Sequence, residues 1–407
     1  MAPQRSRRGD RAMTVRAPGG IVNTLPALAA SAAVALAYAV VLPVLPTVVA
    51  TAQSPARMTA ELMAVYSAAM VVTAPMWGRA CRRLPAHQLV RLSLLGQAVA
   101  MTMLLWPSGT TMLLFARGLQ GVFASAALPA LQTAASHAAT SEGDRSQRLA
   151  NLSRAALVGG LFGPGVGGAI ATDGDLTAPV LIAVAVLVLA AAAQLPGISS
   201  TAIVLPGLSA RPRHRDVAVL LALAALAAAA MSVYEVGLAT RARLVEGLSA
   251  REVGFMFTGC GVVMLLSQSI VFRPHHDPLR AFGWVGPAFV ATAAGLALLA
   301  WLGGTWPSAG GVVLVAAGAG VLQPALTYWI SRAAGDAQAT SLGWRASVTT
   351  AGQTLGSLAG GVAFAATIAG NTALGALLVA LLAAALLALA RRRSPAGLPL
   401  PIPTHAR

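Results

Sequence analysis

Lysine is absent from this 407-residue chain, and charge of either sign is scarce. Charged residues make up 10% of the sequence, where a soluble chain carries about 25%. That shortage excludes a string of ordinary soluble domains. Acids number only 12 against 28 basic residues, every one an arginine, for a formal charge of +16. In a soluble protein such an excess would point to nucleic acid. Here the arginines cluster between apolar blocks, which is the pattern of membrane topology signals, and no soluble domain is left to bind nucleic acid. Cysteine is nearly missing too. Cys81 and Cys260 have neither metal-ligand spacing nor a disulfide framework, so both read as small apolar filler. No phosphate-binding loop, no Gly-x-Ser-x-Gly and no His-Glu-x-x-His occurs. ATP-driven work and hydrolysis therefore lack a basis, and neither an enzyme, a metal site nor a bound cofactor is expected.

What is present is hydrophobic: 57% of residues are apolar and the mean hydropathy is +0.74. The apolar residues come in blocks of about 20, each able to cross a ~30 Å hydrocarbon layer. Divided at charges and at Gly/Pro, the blocks give twelve spans: 23–49, 59–78, 89–106, 110–133, 153–172, 177–195, 217–240, 251–271, 281–302, 310–331, 341–368 and 372–390. The first is too long for a cleaved secretory signal and reads as an uncleaved span. Placing the N-terminus in the cytoplasm puts 23 arginines, Arg345 among them, on the cytoplasmic side. Four fall outside and Arg117 falls within a span. The positive-inside rule then sets both termini in the cytoplasm. The longest polar connection, 196–216, holds Pro196, Gly197, Pro206, Gly207 and Pro212 and reads as a cytoplasmic linker. It separates a first bundle, 21–195, from a second, 217–390, with a disordered tail at 1–20 and a second tail at 391–407.

The run Gly159-Gly160-Leu161-Phe162-Gly163-Pro164-Gly165-Val166-Gly167-Gly168 lies within the fifth span. Each glycine costs a helix about 1 kcal/mol against alanine, so its use here is close approach of another helix. A shift of 193 positions carries Gly159, Gly163, Gly167 and Gly168 onto Gly352, Gly356, Gly360 and Gly361. Leu128-Pro129-Ala130-Leu131 likewise resembles Gln323-Pro324-Ala325-Leu326 in spans four and ten. Two matches in order, at nearly one offset, indicate a repeat of six spans plus six, and repeated halves about a midplane site are a transporter design.

On these residues the chain resembles the major facilitator superfamily, and within it the twelve-helix drug:proton antiporters. Gly163-Pro164 with Gly167-Gly168 looks like that family's fifth-helix antiporter motif, and Arg117-Gly118-Leu119-Gln120-Gly121 like its fourth-helix motif. The family loop Gly-x-Leu-x-Asp-Arg-x-Gly-Arg is matched less well by Gly78-Arg79-Ala80-Cys81-Arg82-Arg83-Leu84-Pro85-Ala86. Gly78 and Arg83 are kept, Arg82 stands at the aspartate and Pro85 at the second glycine. The resemblance implies that this aspartate's lock on the cytoplasmic side is altered here, with Asp277 in the matching loop of the second half as a substitute. It also implies an all-α membrane protein of twelve transmembrane helices in two pseudo-symmetric six-helix bundles. The expected activity is export of a small, partly apolar molecule in exchange for protons, by alternating access across the cell membrane. A proton gradient would supply the energy, and we expect a monomer. An importer or facilitator of a nutrient or metabolite on the same fold is the alternative, and the altered loop is what keeps it open.

Ionisable groups inside spans are costly, by at least ~2.5–3.5 kcal/mol at a helix centre, so the few present carry the functional expectations. Arg117 is either a charge facing the aqueous cavity or an arginine snorkelling to the outer headgroups. Glu235 is the one acid clearly inside a span. It is either the group that takes up and releases protons, with Arg117 as a possible partner, or an interfacial acid neutralised by Arg241 and Arg243. In the resembled family helices one, four, seven and ten line the cavity. On them Tyr38, Gln120, Tyr234, Gln323 and Tyr328 are candidate lining groups, and Gln353 in span eleven is another. Trp77, Trp106 and Trp306 lie near span ends and read as interface anchors. His137 and the pair His275-His276 read as solvated turn residues rather than a metal site.

Overall fold

The computed structural model describes residues 25–366, apart from 51–53, 82, 107–108, 138–141, 172–174, 195–214, 272–282, 302–304 and 335–337. Both tails, the twelfth span and the linker as far as residue 214 lie outside the described residues, as do Arg82, His275, His276 and Asp277 and the side chains of His137 and Trp306.

The described residues form helices and no strands. In chain order these are α1 (Leu25–Ala39), α2 (Leu45–Val48), α3 (Pro55–Ala80), α4 (Ala86–Met103), α5 (Gly109–His137) and α6 (Glu142–Ile170). They continue as α7 (Thr177–Ala192), α8 (Arg215–Leu244), α9 (Ala250–Val271), α10 (Val285–Trp301), α11 (Thr305–Ala334) and α12 (Gln338–Ala366). Each of the first eleven expected spans falls on this helical framework. Among the described residues five segments are long and apolar enough to cross a membrane by themselves: Pro55–Ala80, Gly109–Gln132, Val217–Leu244, Ala250–Ile270 and Ala309–Ile330.

Two local features depart from the sequence expectation. The first span is not one helix but α1 and α2 joined by a tight turn. Pro43 has no N–H to continue the ladder and its ring crowds the preceding turn. Leu42 N–H and Val44 N–H accordingly donate to the carbonyls three residues back, Ala39 and Val41. The fifth span starts earlier than expected, because its helix runs back to Glu142 through a polar turn that a hydropathy boundary misses. Trp77 is a third correction. It is buried, and its Nε1–H donates to the Val122 carbonyl at 2.7 Å, so it ties α3 to α5 instead of anchoring at an interface. Trp106 is exposed.

In the first half α1 packs on α6 and α7, α3 and α4 pack on α5, and α4 on α7. In the second half α8 packs on α12 and α11, α10 on α11, and α9 on α11. The repeat read from the sequence reappears as packing. A Cβ on Gly159 or Gly163 would run into α1, at Ala32 and at Leu36 and Ala39, and one on Gly167 into Val40 just past the end of that helix. Gly352, Gly356 and Gly360 face Ala225, Ala229 and Val233 of α8. The shift of 193 that carries Gly159 to Gly352 also carries Ala32 to Ala225, so helix and partner are repeated together. Val40 shows why Gly167 is needed. The turn at Pro43 pairs Val44 N–H with Val41, and the Val40 carbonyl points at the bare Cα of Gly167 instead.

The halves meet along two seams, α3 with α12 and α6 with α9. Gly361 lies against Ala60, and Thr354 Oγ1 donates to Ser67 Oγ at 2.9 Å. Gly168 and Pro164 lie against Gly254, and Gly165 against Thr258. The glycine contacts use the start of α3 and α9 and the finish of α6 and α12. At the same end one apolar cluster joins the halves, with Leu42, Leu45, Leu62 and Met63 against Val236, Leu238, Val253 and Phe257. At the opposite end, where Arg79, Arg83 and Arg154 lie, the core residues divide into separate clusters. Trp77, Leu89 and Leu131 belong to the first half, and Leu220, Leu326 and Ile330 to the second. One apolar cluster thus spans both halves at the α2 end, the sealed end, whereas the core residues at the arginine-bearing end, the parted end, belong to separate clusters.

Candidate functional site

Just inside the seal, α1, α3, α5 and α8 bring together the polar groups that apolar helices can least tolerate. Arg117 lies eight residues into α5, about 12 Å along its axis at 1.5 Å per residue. It is 0% exposed, so it does not snorkel. Its Nη1 donates to Gln120 Oε1 at 2.6 Å, and Gln120 Nε2 donates to the Ala37 carbonyl at 3.2 Å. The guanidinium carbon stands 5.5 Å from the Tyr38 ring centroid and 5.0 Å from that of Tyr66. Two desolvated cation–π contacts, each worth up to about 2 kcal/mol, hold a charge that has no salt bridge among the described residues. Nε and Nη2 of Arg117 are buried without a hydrogen-bond partner among the described residues. The tyrosine rings lie 4.9 Å apart and 33° from parallel.

Tyr38 continues the chain of contacts into the other half. Its hydroxyl donates to Glu235 Oε2 at 2.9 Å, so the ring touches the cation while the hydroxyl touches the anion. No direct ion pair joins Arg117 and Glu235 among the described residues. Arg241 is engaged elsewhere, with Nε 3.1 Å from Glu246 Oε1 and Nη1 on the Leu299 carbonyl. Arg243 Nη1 donates to the Leu248 carbonyl at 2.6 Å. Those two arginines organise the α8–α9 turn. Glu235 is only partly buried.

A second polar group sits in the other half, nearer the parted end. Arg345 Nη2 of α12 donates to Gln323 Oε1 of α11 at 3.0 Å. Thr349 and Gln353 follow Arg345 at successive steps of four, so the three share one stripe of α12. Gln353 is exposed on the side of Thr349 and Thr350, while Leu355 and Leu358 are exposed on the other side. α12 thus carries a polar side through Arg345, Thr349 and Gln353 and an exposed apolar side through Leu355 and Leu358.

The remaining expected residues are placed as follows. Tyr234 is buried in the apolar seal, edge-on to Phe257 with ring centroids 5.9 Å apart. Tyr328 packs edge-on to Trp329. Gly78 and Arg83 stand at the arginine-bearing end of α3, and nothing lies within 4 Å of where a Gly78 Cβ would be. Arg117, Gln120, Tyr38 and Glu235 are therefore one cluster, Gln323 pairs with Arg345 in a second, Gln353 lies two helical turns beyond Arg345 on α12, and Tyr234 lies in the apolar seal. Sequence reasoning passed over Tyr66 and Arg345. Only four tyrosines exist, and Tyr66 is mid-span, which was a usable signal. Arg345 was hidden because it served equally well as a topology charge.

Neither cluster is required by the repeat. The shift of 193 sets Leu42 at the position of Glu235 and Leu152 at that of Arg345, and the shift of 195 seen in spans four and ten sets Val312 at that of Arg117. The repeated positions build the scaffold; the charged ones break its symmetry. Among the described residues no group of three or more His, Cys, Asp or Glu could hold a metal ion.

The comparisons with known proteins agree with this architecture. Multidrug resistance protein 2 of Bacillus subtilis (strain 168) is 24% identical over 355 residues, covering 81% of this chain and 85% of that protein. Among solved structures, the human organic anion transporter MFSD10 (TETRAN) is similar with a TM-score of 0.65 and 17% identity, covering 90% of this chain and all of that one. The nucleoside transporter NupG is similar with a TM-score of 0.69 and 12% identity, covering 90% of this chain and 98% of that one. A bacterial homolog of the human lysosomal transporter Spinster, in an inward-facing and unoccupied conformation, gives 0.68 and 14%, covering 91% and 96%. At such identities these structures establish the fold alone. The family model described as Major Facilitator Superfamily matches residues 27–357, and with the glycine seams and repeated halves in place the chain belongs to that superfamily: it is a membrane-spanning transporter of small molecules and not an enzyme.

Proposed function

We propose that this transporter exports a small, partly apolar molecule in exchange for protons, with Glu235 carrying the proton. One observation carries the reading: Glu235, an acid well inside α8, accepts a hydrogen bond from Tyr38 of the opposite half, beside a buried arginine. A carboxyl placed there is felt by both halves at once. A proton entering from outside neutralises Glu235 and favours outward release of the substrate; delivery of that proton inward resets the cycle. Such coupling needs proton and substrate to prefer different states or to compete for one region. The similarity to a multidrug resistance protein supports export. On this reading the parted, arginine-bearing end is cytoplasmic, both termini lie on that side, and the protein works as a monomer in the cell membrane without a cofactor.

Everted vesicles with an imposed proton gradient and a pH-sensitive dye test the direction. Addition of a transported compound from a panel of toxic, partly apolar molecules should release protons and restore the dye's fluorescence. A panel without response, together with uptake of a metabolite into intact cells, would establish import or facilitated diffusion instead. The feature that favours that second reading is Arg82 standing where the resembled antiporters carry an aspartate.

A further inference from the structure

Beyond the proton-carrying cluster, we propose that Arg345 and Gln323 form the subsite for an anionic head, a carboxylate by preference, on the transported molecule. The proposal rests on the transporter reading above, since the ligand it describes is that cavity's substrate. Three observations lead to it. Arg345 cannot shed its charge, because a guanidinium stays protonated in proteins. Yet among the described residues its one side-chain partner is a neutral amide: Nη2 donates to Gln323 Oε1 at 3.0 Å, and Nε is buried without a hydrogen-bond partner there. A charge left so in a low-dielectric wall is costly, and a carboxylate presented to its remaining N–H groups meets that cost with charge-assisted, fork-shaped hydrogen bonds.

The second observation is position. Arg345 heads the stripe that continues through Thr349 to Gln353, the exposed polar side of α12, and it lies on the parted side of the molecule. Arg117, by contrast, is closed in beneath the seal between Tyr38 and Tyr66. Arg345 is only partly buried and stands toward the parted end, whereas Arg117 is 0% exposed. Third, the scaffold has no need of the charge, since the repeat fills the equivalent position with buried Leu152. The amide of Gln323 turns its oxygen to Arg345 and so leaves its N–H groups for the same carboxylate.

Three probes of one shape isolate the head group: 1-naphthylacetate, its neutral amide 1-naphthylacetamide, and the cation 1-naphthylmethylammonium. Each is titrated against the purified full-length protein in detergent, without any gradient, and the ligand-dependent rise in melting temperature gives affinity. The acetate should bind at least tenfold more tightly than the amide, and the ammonium more weakly than either. Arg345→Gln should bring acetate and amide to equal affinity, and Arg345→Lys should keep part of the preference. Gln323→Leu, which leaves the charge in place, should weaken acetate binding severalfold and serves if Arg345→Gln does not fold. Equal binding of acetate and amide by the native protein, a preference that survives Arg345→Gln, or no binding by any probe would each overturn the subsite. Because nothing in this measurement depends on a proton or on direction, its failure leaves proton coupling standing, and the failure of coupling leaves the subsite standing.

Discussion

The Tyr38 hydroxyl donates to the Glu235 carboxylate at 2.9 Å, joining residues 197 positions apart in the chain and on opposite halves of the molecule. Tyr38→Phe isolates that bond, because the ring stays against Arg117 and Tyr66 while the donor goes. A hydrogen bond to a charged group is worth about 1.5–3 kcal/mol, and each 1.36 kcal/mol is a factor of ten in rate. We expect proton-driven transport to fall by about tenfold or more on that scale, and its pH profile to move. An unchanged profile in everted vesicles would mean that the bond is structural only.

Arg117→Lys keeps the charge but loses the planar face and the fork that reaches Gln120. Arginine and lysine are not interchangeable at a stacked site. Transport should drop sharply while the protein still folds and inserts, as judged by yield and by a monodisperse elution profile. Full activity in the lysine variant would show that a point charge suffices there.

The glycine seam can be tested by a contrast within one helix. A Cβ on Gly167 meets the Val40 carbonyl, whereas nothing lies within 4 Å of one on Gly160. Gly167→Ala should cost about 1–3 kcal/mol, the usual range for overpacking. Gly160→Ala should be neutral or gain up to about 1 kcal/mol from helix propensity. Melting temperatures in detergent compare the two, and equal values would remove close approach as the reason for Gly167.

Accessibility tests which end is parted. In a background with Cys81 and Cys260 replaced by alanine, Gln353→Cys should react with a membrane-impermeant maleimide added from the arginine-bearing side. Ala60→Cys, buried in the sealed seam, should not react. Labelling of Ala60→Cys with protection of Gln353→Cys would mean that the resting protein is open the other way.

How much of this was legible beforehand depends on the range over which each signal acts. The spans follow from runs of apolar residues, which are local, and so does the glycine seam, because every fourth residue of a helix shares one face. Arg117 and Glu235 stood out because charge is rare inside spans. What escaped was tertiary. Nothing near Tyr38 says that its hydroxyl meets an acid in the other half. Trp77 has the position of an interface anchor, and only the packing of α3 on α5 turns it inward. Arg345 counts as a topology charge until Gln323 is placed beside it. Pro43 was visible, but the length of the apolar run around it masked the break it makes.

Glu235→Gln puts the central assignment to its hardest test. Glutamine keeps the size and can accept the Tyr38 hydrogen bond, but it cannot take up and release a proton. In vesicles the variant should still exchange labelled for unlabelled substrate in the absence of a gradient, while substrate no longer releases protons and a proton gradient no longer drives accumulation. Proton release and gradient-driven accumulation at the native level in Glu235→Gln would show that another group carries the proton.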